Sequence, residues 1–388
     1  MIGSPGTPPG PRRLRRPGEL GRLLKVGAVA LVVVVASVGL AEYLSSGLGE
    51  PTLVIYTYSS LFGGPGTANY SYVFDTFASA HHVHIDVEFP TGTLVSTLAQ
   101  QANAEAADLV IGLDEITGPQ ADALGLLQPY TPPGLANVSP GLIAQLSPDH
   151  AVTPYEWGYL AIDYNASFAA ATRGAIAHAT LPELAANASW ASQFLYEDPA
   201  LDITGEEFLV WQIEYYEHVL GQNWTGFWSS LMPDLHYKPA PDWGTAFGEF
   251  TSPPPSPALV VSYSTDPAYA AYYGQGGQFN STVSWWNGTA YGWRTIYGVG
   301  IVAGSHHLSL DEEFVNWMLS GSVQSEIPLN EWEYPANGTV PIPSVYSAAL
   351  DPAGITPLNG LTTPSGVTAS LPGWITTYQE LADRLIPP

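Results

Sequence analysis

Short apolar strands that run straight into turns dense with hydroxyls, carboxylates and phenols constrain this chain more than any other feature. Leu259-Val260-Val261-Ser262-Tyr263-Ser264-Thr265-Asp266-Pro267-Ala268-Tyr269 is the fullest case. Val54-Ile55-Tyr56-Thr57-Tyr58-Ser59-Ser60, Asp108-Leu109-Val110-Ile111-Gly112-Leu113-Asp114 and Ile327-Pro328-Leu329-Asn330-Glu331-Trp332-Glu333-Tyr334-Pro335 end in the same way. In open α/β sheets a ligand sits in the crevice beyond the carboxyl ends of the strands, so such endings present a binding site. Each alone is also an ordinary turn with a Pro and a capping Asp. Their repetition favours recognition.

Periodicity supplies the rest of the fold. Residues 53–58 predict a strand, 68–80 a helix with Tyr72, Phe74 and Phe77 inward, 84–89 a strand, 93–105 a helix and 108–112 a strand, which opens a mostly parallel sheet with helices on both faces. The Pro-rich stretch 130–150 predicts a loop. Strands crossing between lobes are expected at 158–163 and 294–303, helices at 181–186, 205–219, 243–250 (capped by Asp242) and 310–319, and a strand at 258–263. The fold class is therefore α/β with two lobes, each a mostly parallel sheet flanked by helices and joined by hinge crossings. Residues 45–157 with 298–388 are assigned to lobe 1 and 158–297 to lobe 2.

Charge separates the N-terminus from everything after it. Of ten Lys and Arg residues, six (Arg12, Arg13, Arg15, Arg16, Arg22, Lys25) precede the apolar run 26–41, and only Arg173, Lys238, Arg294 and Arg384 follow. A basic head before an apolar run places residues 1–22 in the cytoplasm and the remainder outside. Residues 23–44 are expected to be a retained transmembrane anchor, with a cleaved signal segment ending near Gly39-Leu40-Ala41 as the alternative. The protein has no Cys, which excludes lipoprotein attachment, disulfides and thiol chemistry. A formal net charge of -25 repels nucleic acid and favours a cationic ligand or a salty or acidic exterior. Eight Asn-x-Ser/Thr sequons, at Asn69, Asn137, Asn165, Asn187, Asn223, Asn280, Asn287 and Asn337, predict a glycosylated surface.

Catalytic motifs are wanting. His81-His82-x-His84 and His306-His307 lack a matching carboxylate spacing for a metal. Gly63-Gly64-Pro65-Gly66 lacks the Lys and hydroxyl residue of a phosphate loop, and no Gly-x-Ser-x-Gly elbow occurs. No enzyme activity, metal or cofactor is expected. The positive signal is aromatic: Trp243 and Trp332 adjoin Asp242 and Glu331 at element boundaries, where a ring face can stack on a flat cation while a carboxylate offsets its charge.

Taken in order with Pro154-Tyr155-Glu156-Trp157-Gly158-Tyr159, Tyr196-Glu197-Asp198-Pro199 and Asp242-Trp243-Gly244-Thr245-Ala246-Phe247, the strand-end segments resemble the extracytoplasmic thiamine-binding proteins of ABC importers. These belong to the type II periplasmic solute-binding proteins. The resemblance runs from about Pro51 to Trp374-Ile375-Thr376-Thr377-Tyr378. It implies ligand contacts from Tyr58, Ser59, Asp114, Trp243, Tyr263, Ser264, Tyr269 and Trp332, and a monomer that closes on thiamine and delivers it to a permease. Two departures stand out. The chain has Phe62-Gly63-Gly64 and Pro90-Thr91-Gly92 where better-studied members carry a Trp and an acidic residue, and Leu201-Asp202-Ile203-Thr204-Gly205-Glu206 where they carry a Ser/Thr-rich loop able to take a phosphate. The alternatives are another small cation such as a polyamine, an oligosaccharide stacked on the aromatics, or a non-transport envelope glycoprotein of the same fold.

Overall fold

Leu109–Leu113 is buried at every residue because it lies in the middle of a sheet with helices on both sides, as its unbroken apolar run requires. The computed structural model describes residues 50–63, 70–90, 93–101 and 107–387. The basic head, the expected anchor, the sequon at Asn69 and parts of the 63–66 and 90–92 turns lie outside them. Among the described residues no helix is long and apolar enough to cross a membrane.

The first lobe is built on β1 (Thr52–Tyr56), β2 (His84–Glu88), β3 (Leu109–Leu113), β4 (Leu127–Gln128), β5 (Val152–Trp157), β12 (Ile296–Val302) and β13 (Tyr334–Pro335), in the order β13-β5-β12-β3-β1-β2 with β4 beside β12. Parallel pairing is confined here to β2-β1-β3; β12 and β5, which lead to and from the other lobe, run antiparallel. The sheet is thus mixed. In the second lobe β6 (Leu160–Asn165), β7 (Phe194–Leu195), β8 (Leu259–Tyr263) and β9 (Phe279–Thr282) form the order β7-β8-β6-β9. A small sheet of β10 (Ser284–Trp286), β11 (Thr289–Gly292) and β14 (Ile355–Pro357) lies alongside in the chain.

Crossing occurs on a narrow two-stranded ribbon. Gly158 N–H donates to Thr295 O at 3.0 Å, Thr295 N–H to Gly158 O at 3.1 Å and Leu160 N–H to Trp293 O at 2.9 Å, so the ladder of β5 and β12 continues between the sheets. The chain crosses again after β13 on its way to β14.

Several local expectations change. In the helix Ser71–His81 it is Val73, Phe74 and Phe77 that are buried, while Tyr72 is 39% exposed and donates to Glu326; residues 73, 74 and 77 define the 3.6-period face and 72 falls off it. Within 130–150 the segment Pro140–Leu146 is helical, because Ser139 caps it and Pro140 occupies the first turn, where a missing N–H costs nothing. The segment Ile327–Asn330 is one helical turn and not a strand; only Tyr334–Pro335 pairs, with β5. The C-terminal helix Pro364–Leu385 buries Val367, Leu371, Tyr378 and Leu381 in the core shared by β6 and β8, so it packs mainly on the second lobe, while also touching the first-lobe helix Thr117–Ala123, although its sequence position suggested the first lobe alone.

The sequons divide structurally. Asn165, Asn187 and Asn223 hold helix or turn starts through their side-chain carbonyls. Asn337 is 3% exposed and its amide donates to Leu319 O at 2.9 Å, so glycosylation is not accessible there in the folded chain.

Candidate functional site

Both lobes contribute to one cavity of about 1200 Å³. Tyr58, Ser59, Trp243, Tyr263, Tyr269 and Trp332 line it together, although they come from four separate stretches of chain. Asp114 and Ser264 do not. Asp114 is fully buried beneath the wall, where its carboxylate accepts from the N–H groups of Ile116 (3.0 Å) and Thr117 (2.6 Å) and fixes the turn after β3. Ser264 is also fully buried, and its carbonyl accepts from Leu350 N–H at 2.9 Å. A polar residue at a strand end can hold the turn as easily as face the crevice, and sequence position does not separate the two.

The aromatic walls are held by specific partners. Trp243 begins the helix Trp243–Thr251, capped by Asp242 through Thr245 N–H at 2.8 Å; its indole N–H donates to Ser262 Oγ at 2.9 Å and its ring stacks on Phe247 at 5.3 Å. Ser262 in turn donates to Asp266, whose carboxylate also takes Tyr263 N–H at 3.2 Å. Tyr263 shares a hydrogen bond with Tyr297 at 2.8 Å, and it lies edge-on to Trp243 at 5.9 Å. Trp332 is 7% exposed and adopts a left-handed backbone (φ 60°), unusual for a bulky residue, with Tyr269 and Tyr272 each 5.3 Å from its ring.

Tyr58 owes its position to Gly112. With φ at 102°, a Cβ on Gly112 would lie 2.5 Å from Cδ1 of Tyr58, so the ring can rest on the end of β3 only because no side chain is there. Its hydroxyl meets Tyr155 at 2.7 Å, Glu331 at 3.0 Å and Glu156 at 3.3 Å. Glu331 also accepts the N–H of Phe62. Glu333 lies over Gly158 of the crossing ribbon so closely that a Cβ there would collide with its carboxylate.

Electrostatics give the cavity its character. Seven carboxylates line it (Glu156, Asp202, Glu206, Asp242, Asp266, Glu331 and Glu333), and no Lys, Arg or His among the described residues does. Burial pushes Glu331 up to about 7. Burial, reinforced by the charges of Asp114 and Asp202, pushes Glu206 up to about 8. Asp202 and Asp266 rise by burial to about 6, held there by the hydrogen bonds they accept. Glu156 is raised far above the usual carboxylate range by burial and then by its neighbours Glu331 and Glu333; Glu333 is raised by burial and then by Asp266 and Glu331. Like charges without cations between them disfavour ionisation, which is why these carboxyls rise together.

Glu156, Glu333 and Tyr297 also line the cavity and were not singled out from sequence as contacts. Of these, Glu156 carried a signal as the one carboxylate in the 152–157 strand. The helix Pro364–Leu385 also reaches the cavity, with Leu371 and Ile375. The histidine groups serve elsewhere. His81 pairs with Glu313 at 2.8 Å and His307 with Asp108 at 3.2 Å, and among the described residues no group of three or more His, Asp or Glu could hold a metal ion.

No family model matches the chain. It is 26% identical over 349 residues to the thiamine-binding periplasmic protein of Salmonella typhimurium, an alignment covering 86% of this chain and 94% of the relative. The corresponding protein of Escherichia coli is 24% identical over 338 residues, with the same coverage of 86% and 94%. The structure superposes on a solved periplasmic thiamin binding protein with a TM-score of 0.70 and 23% identity, covering 86% of this chain and 96% of that one. The chain therefore has the periplasmic-binding-protein fold and resembles thiamine-binding members of that class. These relatives are named as binding proteins.

Proposed function

We propose that this protein is an extracytoplasmic solute-binding protein that captures thiamine between its lobes and delivers it to the permease of an ABC importer. The observation that carries the proposal is the pairing of aromatic walls from both lobes with a lining that contains only acidic ionisable groups. Thiamine presents a cationic thiazolium and a flat aminopyrimidine; Trp and Tyr faces supply stacking and cation–π attraction, and a carboxylate offsets the charge. The cavity volume exceeds the roughly 300–1,000 Å³ of a typical small-molecule pocket, which suits an open cleft that narrows as the lobes close about the crossing ribbon.

Calorimetric titration of the full chain with thiamine, spermidine and maltose provides that test. Saturable binding of thiamine, tighter than that of either competitor, is the expected result. Preferential binding of spermidine would replace thiamine with a polyamine, and preferential binding of maltose would overturn the cationic reading. Membrane attachment through residues 23–44, a monomeric state and a permease partner belong to the same proposal.

A further inference from the structure

Phe247, Tyr269, Asn330 and Trp332 have a second open side: besides the acidic cavity they line a groove of about 1160 Å³. Its chemistry is the opposite of the cavity's. No Asp, Glu, Lys, Arg or His among the described residues lines it, although the chain carries 35 Asp and Glu. In their place stand the carboxamides of Asn165, Gln275, Gln278 and Asn330, together with the rings of Tyr273 and Trp332. Local structure holds the two glutamines at the rim. The helix Asp266–Tyr272 ends where Gly274 turns left-handed (φ 73°), and Gln275 N–H then donates to Ala270 O at 2.7 Å. A second turn follows, in which Gln278 N–H donates to Gln275 O at 3.1 Å. With their backbone groups satisfied, Gln275 and Gln278 are exposed, and their side chains make no hydrogen bond among the described residues. Tyr273 is 58% exposed, its ring 4.9 Å from Tyr269 and 5.9 Å from Trp332, so part of its surface faces the groove uncovered.

A cation is drawn to the seven carboxylates next door, an anion is repelled by a chain of net charge -25, and a wholly apolar molecule would strand the amides. A sugar meets all three conditions. Its C–H faces lie on aromatic rings, and its hydroxyls, donor and acceptor at once, match carboxamides that are also both. The volume exceeds the roughly 300–1,000 Å³ of a typical small-molecule pocket, which suits linked rings better than a single one. We propose that this groove is a binding site for a neutral oligosaccharide, separate from the acidic cavity. One source of such a ligand is built into the rim. The sequon Asn165-Ala166-Ser167 lines the groove, and Ala166 N–H donates to Gln278 O at 2.8 Å. The Asn165 side-chain oxygen accepts from Phe168 N–H and Ser167 O–H, each at 2.8 Å, which leaves Nδ2, the atom that carries an N-glycan, without a partner among the described residues. A glycan on Asn165 and a glycan from another molecule share the same chemistry, and the proposal is independent of which cation the cavity takes.

The experiment uses the full chain in two forms, one made in cells without N-glycosylation and one isolated from its native cells. Cellobiose, mannobiose and N,N′-diacetylchitobiose are titrated against the unglycosylated form and followed by saturation-transfer NMR. Saturable binding of at least one is expected, weakened at least about fivefold by Tyr273→Ala and by Gln275→Ala combined with Gln278→Ala. The glutamine variant is expected to keep its melting temperature and its thiamine affinity, because both side chains are exposed and neither lines the cavity. Trp243→Ala, which alters the cavity and not the groove, is expected to leave sugar binding intact. The native form separates the sources through glycopeptide mass spectrometry at Asn165. An occupied Asn165, with sugar binding that is lost in the native chain and restored in Asn165→Gln, assigns the groove to the chain's own glycan; binding retained in the native chain assigns it to a glycan from outside. Absence of binding of all three disaccharides by the unglycosylated chain overturns the proposal. So does binding that survives the Tyr273 and glutamine substitutions or disappears in Trp243→Ala, which would place the sugar in the acidic cavity and overturn the cationic reading instead.

Discussion

Replacing Glu331 by Gln is predicted to make the ligand-free protein more stable at pH 8 while weakening its hold on thiamine. Glu331 has a folded-state pKa near 7 against an ordinary value of 4.5, raised by burial. A raised carboxyl pKa contributes stability that is complete below the unfolded value, near 4.5, and is lost as pH climbs through the folded value, near 7. At about 1.4 kcal/mol per pH unit, ionising this group in the folded protein costs up to about 3 kcal/mol by pH 8. Gln avoids that cost but cannot accept from both Phe62 N–H and Tyr58 O–H as the carboxylate does, a loss of roughly 1 kcal/mol. Contact of Glu331 with water in the cavity trims the gain further, leaving roughly 1–2 kcal/mol in favour of the variant at pH 8 and almost none at pH 5. For binding the sign reverses. A unit-charge pair about 6 Å apart at an effective dielectric near 20 is worth ~3 kcal/mol, and half of that is about tenfold in affinity. Thermal unfolding of both proteins at pH 5 and pH 8, with and without thiamine, measures the two effects. A variant that is less stable at pH 8, or one with unchanged affinity, would refute the account of the carboxylate cluster as strained in the absence of a cation.

Three further outcomes are expected. Trp243→Ala, which removes a half-buried ring on the wall, should lower thiamine affinity by about five- to thirtyfold with a modest change in melting temperature, whereas Trp332→Ala, in a packed tyrosine cluster, should also cost about 3–5 kcal/mol of stability; equal stability losses in chemical denaturation would contradict the distinction. Gly112→Ala should displace the Tyr58 ring and strain the left-handed backbone, reducing both stability and affinity, and unchanged tyrosine contacts in a structure of the variant would count against it. Mass spectrometry of the native N-terminus should find residues 23–44 retained; a mature chain beginning near Glu42 would leave secretion in place of anchoring.

What the chain reveals locally, it reveals well. The apolar run of β3, the Asp242 cap before Trp243 and the hydroxyl-rich end of β8 are set by period-2 patterning and capping chemistry, both readable within a few residues. Tyr58, Ser59 and Tyr263 follow or end strands whose change from apolar to polar is readable in the same way, and they line the cavity. Convergence is different. Glu156 and Glu331 meet Tyr58 across 98 and 273 positions of sequence, brought there by the crossing ribbon and by a helical turn where the composition suggested a strand. Whether Asp114 faces the ligand or holds its own turn depends on one side-chain rotation, settled by the donors of Ile116 and Thr117. The C-terminal helix chooses the second lobe because its apolar face fits that core, a choice made by packing between distant elements. Sequence thus sets the local caps, turns and strand ends, and the tertiary arrangement decides which carboxylates share one low-dielectric space, since that coupling exists only once their charges are brought close and dried.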